Sequence, residues 1–293
     1  MRKKKRIRIR FDRIFIFLLG VAMICGALIY AGMSIYRFYE NNYAKQVTTP
    51  KPTYYLLLGI NEEEKSQAST IAVCAVDSET EKMTFISIPR NTLVGRGDEE
   101  KTKMFIKDVY AEGGVEETKS SLENLLHIRI DHFIVYNQST FAALLTHFGE
   151  IDFFVEKEMN HKNQDGSEDF YIHLGYQTLD ADSSISYLRY LDSNQDEIAR
   201  IQRQQRFIKA YLHKCKDGYS VMTWILIKNY WMPYYSDIDY KEAASLAYDI
   251  LKFPEENYQF CIIPGDTEKK SKDSNAWIVN PIEMQKIIAS TIN

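Results

Sequence analysis

The sequence predicts an α/β fold, a mixed central sheet covered by helices, preceded by one N-terminal transmembrane helix. Three observations lead there. A run of 23 residues without charge, 14–36, follows a basic start. Three strand-like apolar runs then come in immediate succession, over residues 54–60, 70–76 and 82–88. Further on, residues 132–155 read as strand, helix, strand, the pattern of a layered α/β domain.

The stretch KMTFISIPRNTLV, residues 82–94, organises the chain. β-Branched and aromatic residues dominate it, so it reads as a buried strand, nearly apolar on both faces. Pro89 has no N–H to give to a ladder and ends it. Arg90 therefore emerges at the strand's C-terminal end, with Asn91 and Thr92 in the turn behind it. Ligands of open α/β sheets bind at that edge, and a guanidinium held there suits a phosphate or carboxylate. An arginine pairing with a surface acid is the plainer alternative.

Residues 1–13 carry eight Lys/Arg and one Asp, a net +7, so the rest of the chain carries −11 against a total of −4. As a helix, residues 14–36 rise roughly 34 Å, enough for a bilayer core. Basic residues ahead of the span predict a cytoplasmic tail (1–13), a single-pass membrane helix (14–36), a stalk (37–53) and an extracytoplasmic domain (54–293). The apolar run is too long for an ordinary signal peptide. The acidic outer domain argues against a nucleic-acid partner. Cys74, Cys215 and Cys261 lie in it without metal-ligand spacing, and read as structural thiols.

Taken in order, residues 77–82 form the turn between the second and third strands. A helix is expected over 115–127, after Gly113 and Gly114. Ser139 is a plausible N-cap for a helix over 140–148, closed by Gly149. Residues 156–176 read as polar and irregular. Helices are expected over 181–191 and 197–216, then 239–251, with a late strand over 259–263 and a last helix from Asn280-Pro281.

Arg200, Arg203 and Arg206 follow one another at three-residue spacing in EIARIQRQQRF, and Arg189 ends the helix before. With Arg90 they could converge on a polyanion. Glu197, three residues ahead of Arg200, offers the other reading: a solvated, salt-bridged helix face.

The segments YYLLLGIN, ASTIAVCAVDSETEKMTFISIPRNT, VYAEGG, LLHIRIDHFIVYN, SYLRY and IARIQRQQ, in this order behind one span, carry a resemblance. Together they resemble the LytR–CpsA–Psr (LCP) family of Gram-positive cell-envelope proteins, from about Pro52 to the C-terminus. The resemblance implies a phosphotransferase that moves a glycopolymer (wall teichoic acid, capsule or similar) from polyprenyl pyrophosphate to peptidoglycan. It implies bound polyprenyl (pyro)phosphate with its tail in an apolar tunnel, and Mg²⁺ held by aspartates. Matched position by position, Arg90, Arg189, Arg200, Arg203 and Gln204 fall on pyrophosphate-binding or motif positions. Arg90 and Asn91 fall in the catalytic turn.

The sequence departs from the family where the metal would sit. Asn61, Ser69 and Asn91 stand at three aspartate positions, and Gln67 and Leu191 at two arginine positions. Neutral side chains bring no charge to Mg²⁺ and no general base. Glu62, Glu63, Glu64 and Asp108 are the neighbouring carboxylates that could substitute. Beside the transferase stands a second expectation, a non-catalytic scaffold or regulator of wall assembly that binds polyprenyl (pyro)phosphate.

Overall fold

A computed structural model describes Ser34 and residues 52–61, 67–96, 99–162, 168–191, 197–218, 231–269 and 275–292. The chain separates into two compact units, Met1–Pro50 and Lys51–Asn293. Apart from Ser34, the span and tail predicted for residues 1–36, and nearly all of the stalk, lie outside the described residues. Among the described residues no helix is long and apolar enough to cross a membrane.

The second unit opens with β1 (Thr53–Asn61), β2 (Gln67–Asp77) and β3 (Lys82–Ser87), joined as an antiparallel meander. The hairpin β4 (Leu93–Arg96) and β5 (Glu99–Phe105) follows, then α1 (Ile106–Leu126). Next come β6 (His132–Tyr136), α2 (Gln138–Phe148) and β7 (Ile151–Val155). The strands β8 (Met159–Lys162), β9 (Glu168–Ile172) and β10 (Gly175–Leu179) precede α3 (Ala181–Arg189) and α4 (Glu197–Gly218). After β11 (Tyr235–Ser236) and α5 (Tyr240–Lys252) the chain runs through β12 (Tyr258–Ile262), β13 (Gly265–Lys269) and β14 (Asn275–Val279) to α6 (Pro281–Ile292).

The central sheet has the order β11-β6-β1-β2-β3-β12. β6 runs parallel to β1 and β12 parallel to β3, while β2 is antiparallel to both neighbours. The sheet is therefore mixed, as predicted. Alternation along the strands explains its two covered faces. Leu56, Leu58, Ile71, Val73 and Ile86 point to one side, where α1 and α6 bring Val109, Leu122, Met284 and Ile288. Leu57, Cys74, Val76 and Phe85 point to the other, against Ile208 and Leu212 of α4 and Leu246 and Ile250 of α5. A separate apolar cluster joins α2, α3 and α4 to β7 through Leu145, Phe153, Tyr187 and Phe207.

Several sequence expectations need correction. Residues 156–176 are not irregular: β8, β9 and the start of β10 lie there, and β10 pairs with β7. Short polar strands of this kind lack the apolar alternation that marks a buried one. The hairpins β4–β5 and β13–β14 also escaped: β5 and β13 are polar, and the apolar runs of β4 and β14 are too short to show a period. α1 begins nine residues before the predicted position, because Gly114 (φ 66°, ψ −157°) kinks the helix instead of preceding it. The cap of α2 is Asn137, not Ser139: its Oδ1 accepts the Thr140 N–H at 2.9 Å while Thr140 Oγ1 accepts the Asn137 N–H at 3.1 Å. Asp239 caps α5, where it was read as the helix's first residue.

The candidate anion site at the carboxyl edge of the sheet

Strands β1, β3, β6 and β12 all end at one edge of the sheet, where β2 begins. The register follows from Gly59 opposite Thr70, Ala72 opposite Ser87, Gly59 beside Tyr136 and Ile262 beside Ser87. Asn61, Ser69, Arg90 and Asn91 are thus gathered by topology at the edge where α/β sheets take ligands.

The turn after β3 is built as its sequence dictates. Thr92 closes it, its N–H and its hydroxyl both donating to the Pro89 carbonyl at 2.9 and 2.7 Å. The first N–H groups of α1 need acceptors, and Phe105 supplies no side-chain cap. The turn provides them: Ile106 donates to the Thr92 carbonyl and Lys107 to that of Arg90, at 2.9 and 3.1 Å. Arg90 is therefore locked through its main chain to the start of a helix.

α4 lies across the same edge and binds it residue by residue. Glu197 Oε1 accepts the Arg90 N–H at 3.2 Å, and its Oε2 pairs with Arg90 Nε at 3.4 Å. The same carboxylate takes Arg200 in two parallel bonds, Nε at 3.0 Å and Nη2 at 2.7 Å. Arg200 is buried, and Nη2 also donates to the Ser69 carbonyl at 2.7 Å. Gln204 donates weakly to Thr70 Oγ1 and the Leu188 carbonyl, at 3.3 and 3.4 Å. Gln205 bridges the ends of β3 and β12, donating to Ser87 Oγ and the Cys261 carbonyl at 2.8 Å each.

The other predicted cations are placed differently. Arg203 is 2% exposed, donates to the Tyr190 carbonyl and lies 5.6 Å from the Tyr190 ring centre. Arg189 is exposed and donates to Gln138 Oε1 at 2.8 Å, beside the cap of α2. Arg206 turns to Glu156 at 2.6 Å, at the rim of a cleft of about 600 Å³ between α4 and β7. So Arg90 and Arg200 meet through one carboxylate, Arg203 packs one turn along the same helix, and Arg189 reaches toward the end of β6. Sequence reasoning treated Glu197 only as an exposed partner of Arg200 and passed over Gln205. The i, i+3 spacing to Arg200 was the signal for Glu197. Gln205 gave none apart from its place beside Gln204.

Two of the positions matched to metal-binding aspartates, Ser69 and Asn91, do a different job here. β1 and β2 shift register at Gly59/Ile60, leaving Ser69 as the extra residue of a bulge, its hydroxyl donating to the Gly59 carbonyl at 2.9 Å. Gly59 makes this a close approach: a Cβ on it would stand 3.1 Å from Thr70 Cβ. Asn91 Nδ2 donates to the Asn275 carbonyl at 2.7 Å, and its own carbonyl accepts the Trp277 N–H at 3.0 Å. These two side chains hold β-structure together as hydrogen donors, which an ionised aspartate cannot do. Asn91 Oδ1 is buried and accepts no hydrogen bond from the described residues. Asp108, in the first turn of α1, accepts Gln67 Nε2 at 2.6 Å. Glu62, Glu63 and Glu64 lie outside the described residues. Among the described residues no group of three or more His, Cys, Asp or Glu could hold a metal ion. Of the candidate positions described at this edge, Asp108 alone brings a carboxylate, and Gln67 Nε2 already donates to it.

The profile of the LytR_cpsA_psr family matches residues 34–292. Among characterised proteins, the chain is 26% identical over 178 residues to the polyisoprenyl-teichoic acid–peptidoglycan teichoic acid transferase TagV of Bacillus subtilis. That match covers 58% of this chain and 46%, about half, of TagV. It is 28% identical over 228 residues to the transferase TagU of Enterococcus faecalis, covering 72% of this chain and 71% of TagU. The crystal structure of B. subtilis TagV superposes with a TM-score of 0.70 at 21% identity, over 84% of this chain and 98% of that one. The structure of TagT (YwtF) with bound octaprenyl pyrophosphate lipid superposes with a TM-score of 0.62 at 17% identity, over 85% of this chain and 93% of that one. By its profile match over most of its length, and with this fold, the chain belongs to the LytR_cpsA_psr family.

Proposed function

We propose that this chain is a single-pass, membrane-anchored envelope protein whose outer domain binds a polyprenyl-pyrophosphate-linked glycopolymer and serves its transfer to peptidoglycan. The observation that carries the reading is Arg90, fixed at the carboxyl edge of the sheet by α1 behind it and Glu197 beside it. A guanidinium so held is prepared to grip a phosphate with two hydrogen bonds. Relatives named for teichoic acid transfer, and a structural neighbour holding octaprenyl pyrophosphate, support the same ligand class. In such a transfer an acceptor hydroxyl attacks the glycan-bearing phosphorus. The bridging P–O bond breaks, polyprenyl phosphate leaves with the electron pair, and the acceptor hydroxyl's proton passes to solvent. Arg90 would stabilise charge on the phosphate oxygens. The anchor and outward topology follow from residues 1–36 of the sequence.

Ser69 and Asn91 favour a second reading, binding without turnover. Their side chains are hydrogen donors to carbonyls at positions where the resemblance calls for aspartates. Incubating the full chain in detergent with polyprenyl-pyrophosphate-linked glycan and peptidoglycan, with Mg²⁺ or with EDTA, separates the two. Glycan appearing on peptidoglycan supports the transferase. Bound lipid with no transfer in either condition supports the scaffold.

A further inference from the structure

We propose that the cleft of about 600 Å³ beside α4 is a saccharide-binding site, and that its occupant is the uncharged sugar backbone of peptidoglycan. The inference does not rest on diphosphate binding at the sheet edge, because the two sites lie on different faces of α4. Arg206, Lys209 and His213 line the cleft at i, i+3 and i+7 and share one face. By helical geometry Lys209 stands about 180° around the axis from Arg200. β7 contributes Phe153 and Phe154 to the lining, β12 contributes Tyr258, and α4 adds Ala210. Ion pairs tie these elements together. Glu156, just past β7, meets Arg206 at 2.6 Å, and Glu255, in the turn before β12, meets His213 Nδ1 at 2.9 Å. The Tyr187 hydroxyl fixes Glu156 further, donating to its Oε2 at 2.9 Å. The cleft is thus formed before any ligand arrives, and its size suits a small oligosaccharide.

The lining selects the ligand. Phe154 occupies a solvent-facing position of β7, the same face as Asp152, and is 48% exposed. Its cross-strand partner Tyr176 is 87% exposed and meets it edge to face, with 5.0 Å between ring centres. Contiguous exposed aromatic surface of this kind marks an interaction site. A lipid tail would strip water from the charges around the cleft and replace it with nothing. A polyanionic glycopolymer would find no excess of positive charge, since Glu156 and Glu255 balance Arg206 and Lys209. An uncharged pyranose suits both parts of the lining. Its C–H face packs on an aromatic ring, while its hydroxyls donate to the carboxylates and accept from Arg206 and Lys209.

The test titrates chitotetraose, an uncharged chain of N-acetylated amino sugars, into the full chain held in a detergent without a sugar headgroup. Calorimetry reads binding, and thermal unfolding is followed alongside. Wild type should bind saturably. Phe154→Ala should weaken binding roughly three- to tenfold, the scale of one lost aromatic contact, and Phe154→Trp should retain it. Lys209→Ala, an exposed change on the helix side of the cleft, should weaken binding too, and carries the comparison if Phe154→Ala does not fold. A poly(glycerol phosphate) chain or a free stem pentapeptide should not displace the tetrasaccharide. No binding by wild type, wild-type affinity in either variant when folded, or displacement by the polymer or the peptide overturns the inference. Octaprenyl pyrophosphate binding, measured on the same wild-type protein, tests the sheet edge separately, so failure at one site is distinguishable from failure at the other.

Discussion

Asn91 donates to the Asn275 carbonyl, and that single hydrogen decides what the position can do. Asn91→Asp, which restores the family's residue, would set a carboxylate against a carbonyl oxygen. It should lower stability by about 1–3 kcal/mol, the range for leaving a buried polar group unmatched. Denaturant unfolding measures this; a variant as stable as wild type, or stabilised by Mg²⁺, would contradict the structural role given to Asn91. The thiols make a second residue-scale prediction. Burial pushes Cys74 from an ordinary value of 9.0 up to about 12, and Cys215 and Cys261 up to about 11. Keeping Cys74 protonated therefore contributes stability that is fully present below pH 9 and lost as pH rises toward 12, because the unfolded thiol ionises first. Native protein at pH 8 should resist iodoacetamide at all three sites until denatured. Prompt labelling of Cys74 in the folded state would contradict its placement in the core.

At the scale of elements, the sequence was most legible where burial imposes a period. β1, β2, β3, β6 and β12 were each visible within a few residues, since their side chains alternate between two covered faces. The turn holding Arg90 was legible for a local reason, the missing N–H of Pro89. The hairpins β4–β5, β8–β9 and β13–β14 were not, because their strands are polar or too short to show a period and owe their shape to pairing. Long-range contacts were hidden equally: nothing local shows that the Asn91 amide finds Asn275, or that Glu197 reaches Arg90 across 107 residues. The cap of α2 tests the element account. Asn137→Ala removes the Oδ1 half of the reciprocal cap and should lower stability by about 1 kcal/mol, whereas Ser139→Ala should change it by only a few tenths. A larger loss at Ser139 would mean that the cap lies where the sequence first suggested.

Across the whole molecule, topology joins what the sequence keeps far apart. Two parallel crossovers and one meander bring the ends of β1, β3, β6 and β12 to one edge, and α4 ties β2, β3 and β12 together there. The proposed anchoring rests on the basic start of the chain ahead of the uncharged run 14–36. Protease added to intact protoplasts should digest the bulk of the chain, and full protection would contradict the proposed orientation. The most direct measurement is the affinity of the full chain for octaprenyl pyrophosphate, wild type against Arg90→Ala. The account predicts saturable binding by wild type and at least a tenfold loss in the variant, as expected for removing a charged phosphate contact. Equal affinity of the two proteins, or no binding by either, would contradict it.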